Sequence, residues 1–185
     1  MGVSGSGKTT LLTLLAGLDL PTKGKIYWGK EHLNELNENE RAKLRLGSAG
    51  FIFQNFELLP SYTALENVLL PLELTRTENA LEIAKQCLKE VGLGKRLSHY
   101  PKQLSGGEQQ RVAIARAFAT QPKVFFADEP TASLDQNTSK LVIEFLTEYH
   151  RQYKPTMIFV THDEELSEIC HRRIYLRGGK IARGL

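Results

Sequence analysis

Gly2-Val3-Ser4-Gly5-Ser6-Gly7-Lys8-Thr9 places glycines, a lysine and a hydroxyl at the spacing G-x-x-x-x-G-K-[ST]. Residues of these types at this spacing suit the binding of phosphate. Backbone N–H groups of a glycine-rich turn point at an anion, and the helix N-terminus that follows adds partial positive charge. In that arrangement Lys8 reaches the β- and γ-phosphates of a nucleotide and Thr9 offers its hydroxyl to Mg²⁺. The alternative is a glycine-rich flexible start, which gives no reason for Lys8 and Thr9 to stand where they do. A chance match in a chain of this length is on the order of one in a hundred or less at average glycine usage.

Leu104-Ser105-Gly106-Gly107-Glu108 is a second candidate anion site. Ser105 can cap a helix with Glu108 at the third helical position, while two glycines leave backbone N–H groups exposed. An ordinary capping box explains Ser105 and Glu108 but not the glycine pair. Val124-Phe125-Phe126-Ala127-Asp128-Glu129 reads as an apolar strand ending in adjacent acids. Side-chain alternation along a strand sends the two carboxylates to different faces, so they divide the work. Asp128 suits an indirect Mg²⁺ contact, and Glu129 suits general-base or water-positioning chemistry. Without a phosphate loop, the same acids before Pro130 would read as solvated strand-end residues. Gln54 follows Phe51-Ile52-Phe53 and His162 follows Met157-Ile158-Phe159-Val160, so a parallel sheet would bring both to the edge where Glu129 lies. A lone histidine after a strand is more often structural; in this company it reads as a γ-phosphate contact. Asp135, in Ser133-Leu134-Asp135, is the cap of the following helix, a site residue, or both.

These residues need elements to aim them. Lys8 to Leu18 reads as a helix, with Leu11, Leu12, Leu14 and Leu15 apolar and Gly17 near its end. Lys25 to Trp28 reads as a short strand, and Asn37 with Glu40 as a capping box opening a helix through about Leu46. Ala49 to Gln54 reads as a strand buried on both faces. From Asn55 to about Ser98 the pattern is helical: Thr63 with Glu66 opens one segment, and Thr77 opens another with Leu81, Ala84, Cys87, Leu88 and Val91 on one face. Gly92 and Gly94 end it. Strands resume at Lys123 to Asp128 and Thr156 to Thr161 with a helix from Gln136 to about Tyr153 between them, and Arg173 to Arg183 reads as a hairpin about Gly178-Gly179. This order predicts the α/β class: a single domain over residues 1–185, a mostly parallel sheet flanked by helices, and a helical subdomain inserted at roughly 55–115.

Composition narrows the possibilities further. A chain of 185 residues, 41% hydrophobic and 24% charged, suits one domain able to bury a core. The net charge is only +3 and the basic residues are scattered, which argues against a nucleic-acid partner. Cys87 and Cys170 lie far apart on predicted helices and suggest neither a metal knuckle nor a disulfide framework; both are expected as small buried hydrophobes. Cys170-His171 lacks a second ligand pair at metal-binding spacing. There is no apolar run of about eighteen residues and no basic-then-apolar secretory pattern, so the expectation is an intracellular chain with no membrane span of its own. Work at a membrane would need another polypeptide to supply the spanning helices.

In order and approximate spacing, the phosphate loop, Gln54, Leu104 to Glu108, Asp128-Glu129, Ser133-Leu134-Asp135 and His162 resemble the ATP-binding-cassette ATPases, over essentially the whole chain. The resemblance implies a P-loop NTPase of that type with ATP and Mg²⁺ as cofactors. Gly2, Val3, Ser4, Gly5, Ser6, Gly7, Lys8, Thr9 and Thr10 of one subunit would bind ATP. Ser105, Gly106, Gly107 and Glu108 of a second would close over it in a head-to-tail homodimer, with Asp135 communicating across the dimer. Thr9, Gln54 and Asp128 would be the metal contacts. Glu129, His162 and Gln54 would be the catalytic set, Gln54 also passing the nucleotide state to a transmembrane permease. Gly50 to Gln54, Leu58-Leu59-Pro60, Thr63 to Val68, Pro71-Leu72 and Gln109 to Ala117 look like the branch serving lipoprotein release and macrolide-type export across the bacterial envelope. Ala132-Ser133 stands where that branch often has glycine-asparagine, and Thr9 where serine is commoner; either hydroxyl can ligate Mg²⁺. The implied location is peripheral, on the inner face of the cell membrane. Family members also carry strands ahead of the loop, one with an aromatic that stacks on adenine, so the chain is expected to be N-terminally truncated, through a misassigned start or as a fragment. That stacking role is not transferred to Tyr27 or Trp28. The competing readings are ATPases of the same superfamily that act in cell-division regulation or on DNA or ribosomes.

Overall fold

The computed structural model describes residues 1–2, 5–132 and 134–182. Val3, Ser4 and Ser133 of the expected site, and the end of the expected hairpin at Arg183, lie outside the described residues. The chain runs from helix α1 (Lys8–Leu15) through β1 (Tyr27–Trp28), β2 (Glu31–His32) and α2 (Glu38–Arg45) to β3 (Ala49–Ile52). Helices α3 (Ala64–Leu74), α4 (Ala80–Glu90) and α5 (Gly106–Phe118) follow, then β4 (Val124–Asp128), α6 (Gln136–Tyr153) and β5 (Thr156–Val160). A short α7 (Glu164–Glu168) precedes the hairpin of β6 (Leu176–Arg177) and β7 (Lys180–Ile181).

Strands β3, β4 and β5 form a parallel sheet in that order, and both crossovers are helical, as parallel neighbours require. The unbroken apolar run of β4 is explained by burial on both faces. Phe126 turns toward Leu12 of α1 and Ala16 at its end, together with Val160 of β5. Phe125 and Ala127 turn the other way, into a core shared with Ile114 and Phe118 of α5 and Val142 and Leu146 of α6. The result is an α/β sandwich: α1, sheet, α5 with α6. Trp28 belongs to the first of these cores. Its indole N–H donates to the Leu15 carbonyl at 2.8 Å and its ring lies 5.7 Å from that of Phe126.

Gly50 marks where β3 approaches α5. A Cβ there would run into the carbonyl oxygen of Ala117 and meet Pro122 Cγ at 2.9 Å and Phe125 Cδ2 at 3.0 Å. Gly50→Ala is therefore expected to destabilise the chain by about 1–3 kcal/mol, the usual range for overpacking, read as a lowered midpoint in chemical unfolding.

Several expected boundaries move, each for a local reason. Helix α1 stops at Leu15 rather than Leu18, because Ala16 caps it and Gly17 turns into the left-handed region at φ 66°. The strand expected from Lys25 shrinks to Tyr27–Trp28, since the Ile26 N–H is taken by the Asn34 side chain at 2.9 Å. Thr77 does not open α4. Its N–H bonds back to the Leu72 carbonyl at 2.9 Å while Arg76, at φ 54°, bonds to Glu73, which closes the C-terminus of α3. Helix α4 begins at Ala80 after Asn79, itself left-handed at φ 57°. Cys170 lies beyond the end of α7, and both cysteines are half-buried rather than fully buried. Burial pushes the Cys87 thiol up to about 11, which keeps it protonated and unreactive.

Strand β5 pairs with β4 along one edge, and among the described residues no strand pairs with the other. A cleft of about 620 Å³ runs there, lined by Thr156 to Thr161 and by Leu11, Leu15, Ile169, Ile174 and Leu176. No helix among the described residues is long and apolar enough to cross a membrane.

Candidate nucleotide site

The parallel sheet brings the carboxyl ends of β3, β4 and β5 to one edge, where open α/β sheets bind ligands. Gln54 follows β3 by two residues, Asp128 ends β4 with Glu129 just after it, and His162 follows β5 by two residues. Helix α1 delivers Lys8 to the same place. The Lys8 ammonium lies 3.8 Å from Glu129 Oε1 and donates to the Gly2 carbonyl at 2.8 Å.

The two acids stand in different settings. Asp128 is the last strand residue and is nearly buried, at 6% exposure. Glu129 has left the strand at φ 49°, a conformation uncommon for a residue with a side chain and held here by its N–H to the Val160 carbonyl at 2.8 Å. Its carboxylate bridges two groups. Oε1 faces Lys8, while Oε2 accepts from the His162 backbone N–H at 3.3 Å and lies 2.9 Å from Nδ1 of the same residue. A carboxylate can only accept, so Nδ1 of His162 carries a proton in this contact, on a ring that is largely exposed.

The phosphate loop is braced from the far end of the chain. The Gly179 N–H in the β6–β7 turn donates to the Ser6 carbonyl at 3.0 Å, and the Leu176 N–H donates to the Met1 carbonyl at 2.8 Å. Gly2 and Gly7 are required at their positions: φ is 150° and 90°, and a Cβ on Gly2 would strike the Leu176 carbonyl. Thr9 and Thr10, in the first turn of α1, are exposed. Two buried side-chain atoms at this edge, Ser6 Oγ and Asp128 Oδ1, have no hydrogen-bond partner among the described residues. Buried polar atoms of native proteins rarely stand alone, and here they lie where a phosphate, water or hard cation would satisfy them. No group of three or more His, Cys, Asp or Glu residues among the described residues could hold a metal ion alone. The unpartnered Asp128 Oδ1 fits Mg²⁺, which takes few protein oxygens together with phosphates and water.

A second group of expected residues assembles at the start of α5. Ser105 and Glu108 form a reciprocal capping box, the Ser105 N–H donating to Glu108 Oε2 at 2.8 Å and the Glu108 N–H to Ser105 Oγ at 3.2 Å. The Ser105 N–H holds the Glu108 carboxyl below its ordinary range, and Arg96 assists from 3.0 Å. Asp135 caps α6: it accepts the Asn137 and Thr138 N–H groups and, at 2.6 Å, the Thr138 hydroxyl, which lowers its pKa. A Cβ on Gly107 would lie 3.3 Å from Thr138 Cγ2, so the beginnings of α5 and α6 meet. The structure thus makes one cluster of Lys8, Glu129 and His162 and another of Ser105 to Glu108 with Asp135. Gln54 is exposed. Removing the cap by Ser105→Ala is expected to cost about 1 kcal/mol, measured by chemical unfolding, with the loss localised to α5 by hydrogen exchange.

Supporting residues were missed by sequence reasoning. Gln110 is buried and donates to the Pro130 carbonyl at 2.8 Å, and the Thr131 hydroxyl donates to Asp163 Oδ2 at 2.8 Å. Together they fix the turn after Glu129 and the segment after His162. Arg116 donates to two consecutive carbonyls, Phe56 at 2.9 Å and Glu57 at 2.6 Å. The available signal was a glutamine and an arginine on a helix whose other residues from Val112 to Phe118 are all buried.

Known proteins match this geometry and sequence over almost the full chain. A family model described as ABC transporter matches residues 1–132. An uncharacterized ABC transporter ATP-binding protein of Methanocaldococcus jannaschii, MJ1508, is 50% identical over 98% of this chain and 81% of its own length. YbbA of Escherichia coli, also an uncharacterized ABC transporter ATP-binding protein, is 49% identical over 98% and 80%. The lipoprotein-releasing system ATP-binding protein LolD of Legionella pneumophila is 46% identical over 98% and 81%. Among solved structures, the ATP-binding cassette MJ0796, a dimer in a post-hydrolysis state bound to ADP and Pi, superposes with a TM-score of 0.93 at 42% identity, covering 99% of this chain and 82% of that one. A phosphate loop, a sheet edge carrying Glu129 and His162, and these likenesses agree: the chain belongs to the ABC transporter family and is one of its ATP-binding, ATP-hydrolysing cassettes.

Proposed function

We propose that this cassette powers a separate transmembrane permease for lipoprotein release or export across the bacterial envelope, docked on the inner face of the cell membrane. The observation that carries the ATPase assignment to particular residues is the Lys8–Glu129–His162 cluster at the end of the phosphate loop. Gly2 to Thr10 cradle the phosphates, with Lys8 on the β- and γ-groups. Glu129 orients and deprotonates the attacking water. His162 holds Glu129 in place through Nδ1–H, and with a second proton on its outward Nε2 the imidazolium donates to the γ-phosphate. Thr9, Gln54 and Asp128 are the residues that would hold Mg²⁺, Asp128 through its unpartnered Oδ1. When bound, Mg²⁺ offsets the charge that develops on the transferring phosphoryl oxygens.

Ser105 to Glu108 and Asp135 serve the other nucleotide of a head-to-tail homodimer. Their backbone N–H groups at the start of α5 suit a γ-phosphate approaching from a second copy. The whole forms one domain, with residues at roughly 55–115 as its helical subdomain. The cargo class is supported by the 46% identity to LolD and by the stretches Gly50 to Gln54 and Thr63 to Val68. Nucleic acid is not a partner in this reading.

The test is reconstitution in proteoliposomes with the permease encoded beside it. ATP-dependent release of a lipidated protein into solution, dependent on Glu129, supports the reading. ATP consumption that moves no lipidated or amphiphilic cargo overturns the cargo class. A partner that responds to bound nucleotide without transport places the cassette in the regulatory class instead.

A further inference from the structure

Gln54 sits in a turn that the backbone does not favour. The Phe56 N–H closes the turn on the Phe53 carbonyl at 3.0 Å and the Glu57 N–H reaches the Asn55 carbonyl at 2.7 Å. Phe56 and Glu57 are both left-handed, at φ 63° and 47°, and neither is glycine. Two consecutive residues in this region persist only where surrounding contacts over-determine them. Those contacts come from α5. The Arg116 guanidinium spans the pair, one nitrogen donating to the Phe56 carbonyl and the other to Glu57, 60 and 59 residues away in sequence. Phe56 also reaches the opposite end of the helix, its ring Cζ lying 4.0 Å from where a Cβ on Gly106 would stand. The Gln54 turn is thus hydrogen-bonded to α5 at Arg116 and lies beside its start at Gly106, about 15 Å away along the axis.

We propose that Arg116 is the positioning residue for Gln54: its fork holds the Phe53–Glu57 turn in its left-handed form and makes that turn move as one body with the Ser105–Gly107 end of α5. The reach of Gln54 toward the nucleotide then depends on where Gly106 is docked, and closure over the second nucleotide of a dimer is felt at Gln54 through α5. A planar fork across two carbonyls is specific to arginine, because a lysine ammonium cannot hold both in fixed geometry. The proposal rests on the reading of Gln54 as a contact to metal and γ-phosphate.

The experiment compares Arg116→Lys, Gln54→Ala and the double variant Arg116→Lys/Glu57→Gly with the parent chain. Arg116→Lys is expected to lower kcat for ATP by about 10- to 100-fold, the scale of an ångström-level misplacement, while KM for MgATP stays within about twofold. Amide exchange at Phe56 and Glu57 speeds up, and exchange within α5 does not. Glycine at position 57 occupies the left-handed region without steric cost, so the double variant recovers most of the lost kcat. Parental kcat and parental exchange in Arg116→Lys overturn the clamp. So does an Arg116→Lys chain that loses its cooperative melt, or one that loses kcat without rescue by glycine, since either makes Arg116 a support of the core alone. Parental turnover in Gln54→Ala overturns the reading of Gln54, whereas the exchange data judge the clamp independently of it.

Discussion

Glu129→Gln is expected to lower ATP turnover by about 10²–10⁴-fold, the range a positioned general base contributes, and to leave nucleotide binding in place. The geometry explains why the two effects separate. Glutamine keeps the shape of the side chain and an amide oxygen that can accept from the His162 N–H groups, so the turn at φ 49° and the bond from the Glu129 N–H to Val160 persist. What disappears is the group able to take a proton from water. Lys8, 3.8 Å from the carboxylate, would lose a counter-charge, which favours its proposed contact to phosphate. Nucleotide binding is read from the shift in melting temperature with ATP, and turnover from phosphate release. Turnover within a few fold of the parent assigns the base elsewhere.

Phe125→Ala has the largest expected effect on stability, about 3–5 kcal/mol. Phe125 is fully buried at the centre of β4, between Gly50 of β3 and Met157 of β5 in register, and its ring stacks on Phe118 at 4.2 Å. Phe118 in turn packs against Phe145 and Tyr149 of α6, so one deletion opens a cavity under two helices. Against the 5–15 kcal/mol that holds a typical domain together, the loss leaves a marginal fold, and the melting temperature falls by roughly 10 °C. Phe51→Ala, in the next position of the ladder but half-buried, is the control and costs less.

What the sequence made legible was local. Three capping boxes, Asn37 with Glu40, Thr63 with Glu66 and Ser105 with Glu108, form as expected because both hydrogen bonds lie within three residues and need nothing else. Asp135 fixes the start of α6 in the same way, and the apolar runs of β4 and β5 are unmistakable. Thr77 failed because a second local motif, the closure of α3 through Arg76, competed for the same residue. Glu129 lies beyond the end of β4 in a left-handed conformation, so pleat alternation alone does not aim its carboxylate. Such strain is set by long-range contacts and leaves no periodic trace. The contacts from Arg116 to Phe56, from Gly179 to Ser6 and from Gln110 to Pro130 join segments far apart in sequence, and their only sign was a polar residue on an otherwise buried face or a glycine pair in a hairpin.

The cleft beside β5 bears on how the protein behaves in the test tube. Met157, Ile158 and Phe159 are apolar, only half-buried and, among the described residues, paired with a strand on one side alone. An unpaired apolar edge is a template for a strand of another molecule, and copies that meet there add by backbone hydrogen bonds against the repulsion of Lys154, Arg172 and Arg173, which line the same cleft. For the chain as described, a lysine introduced at the exposed Thr156 is expected to blunt this edge and lower light scattering in concentrated samples.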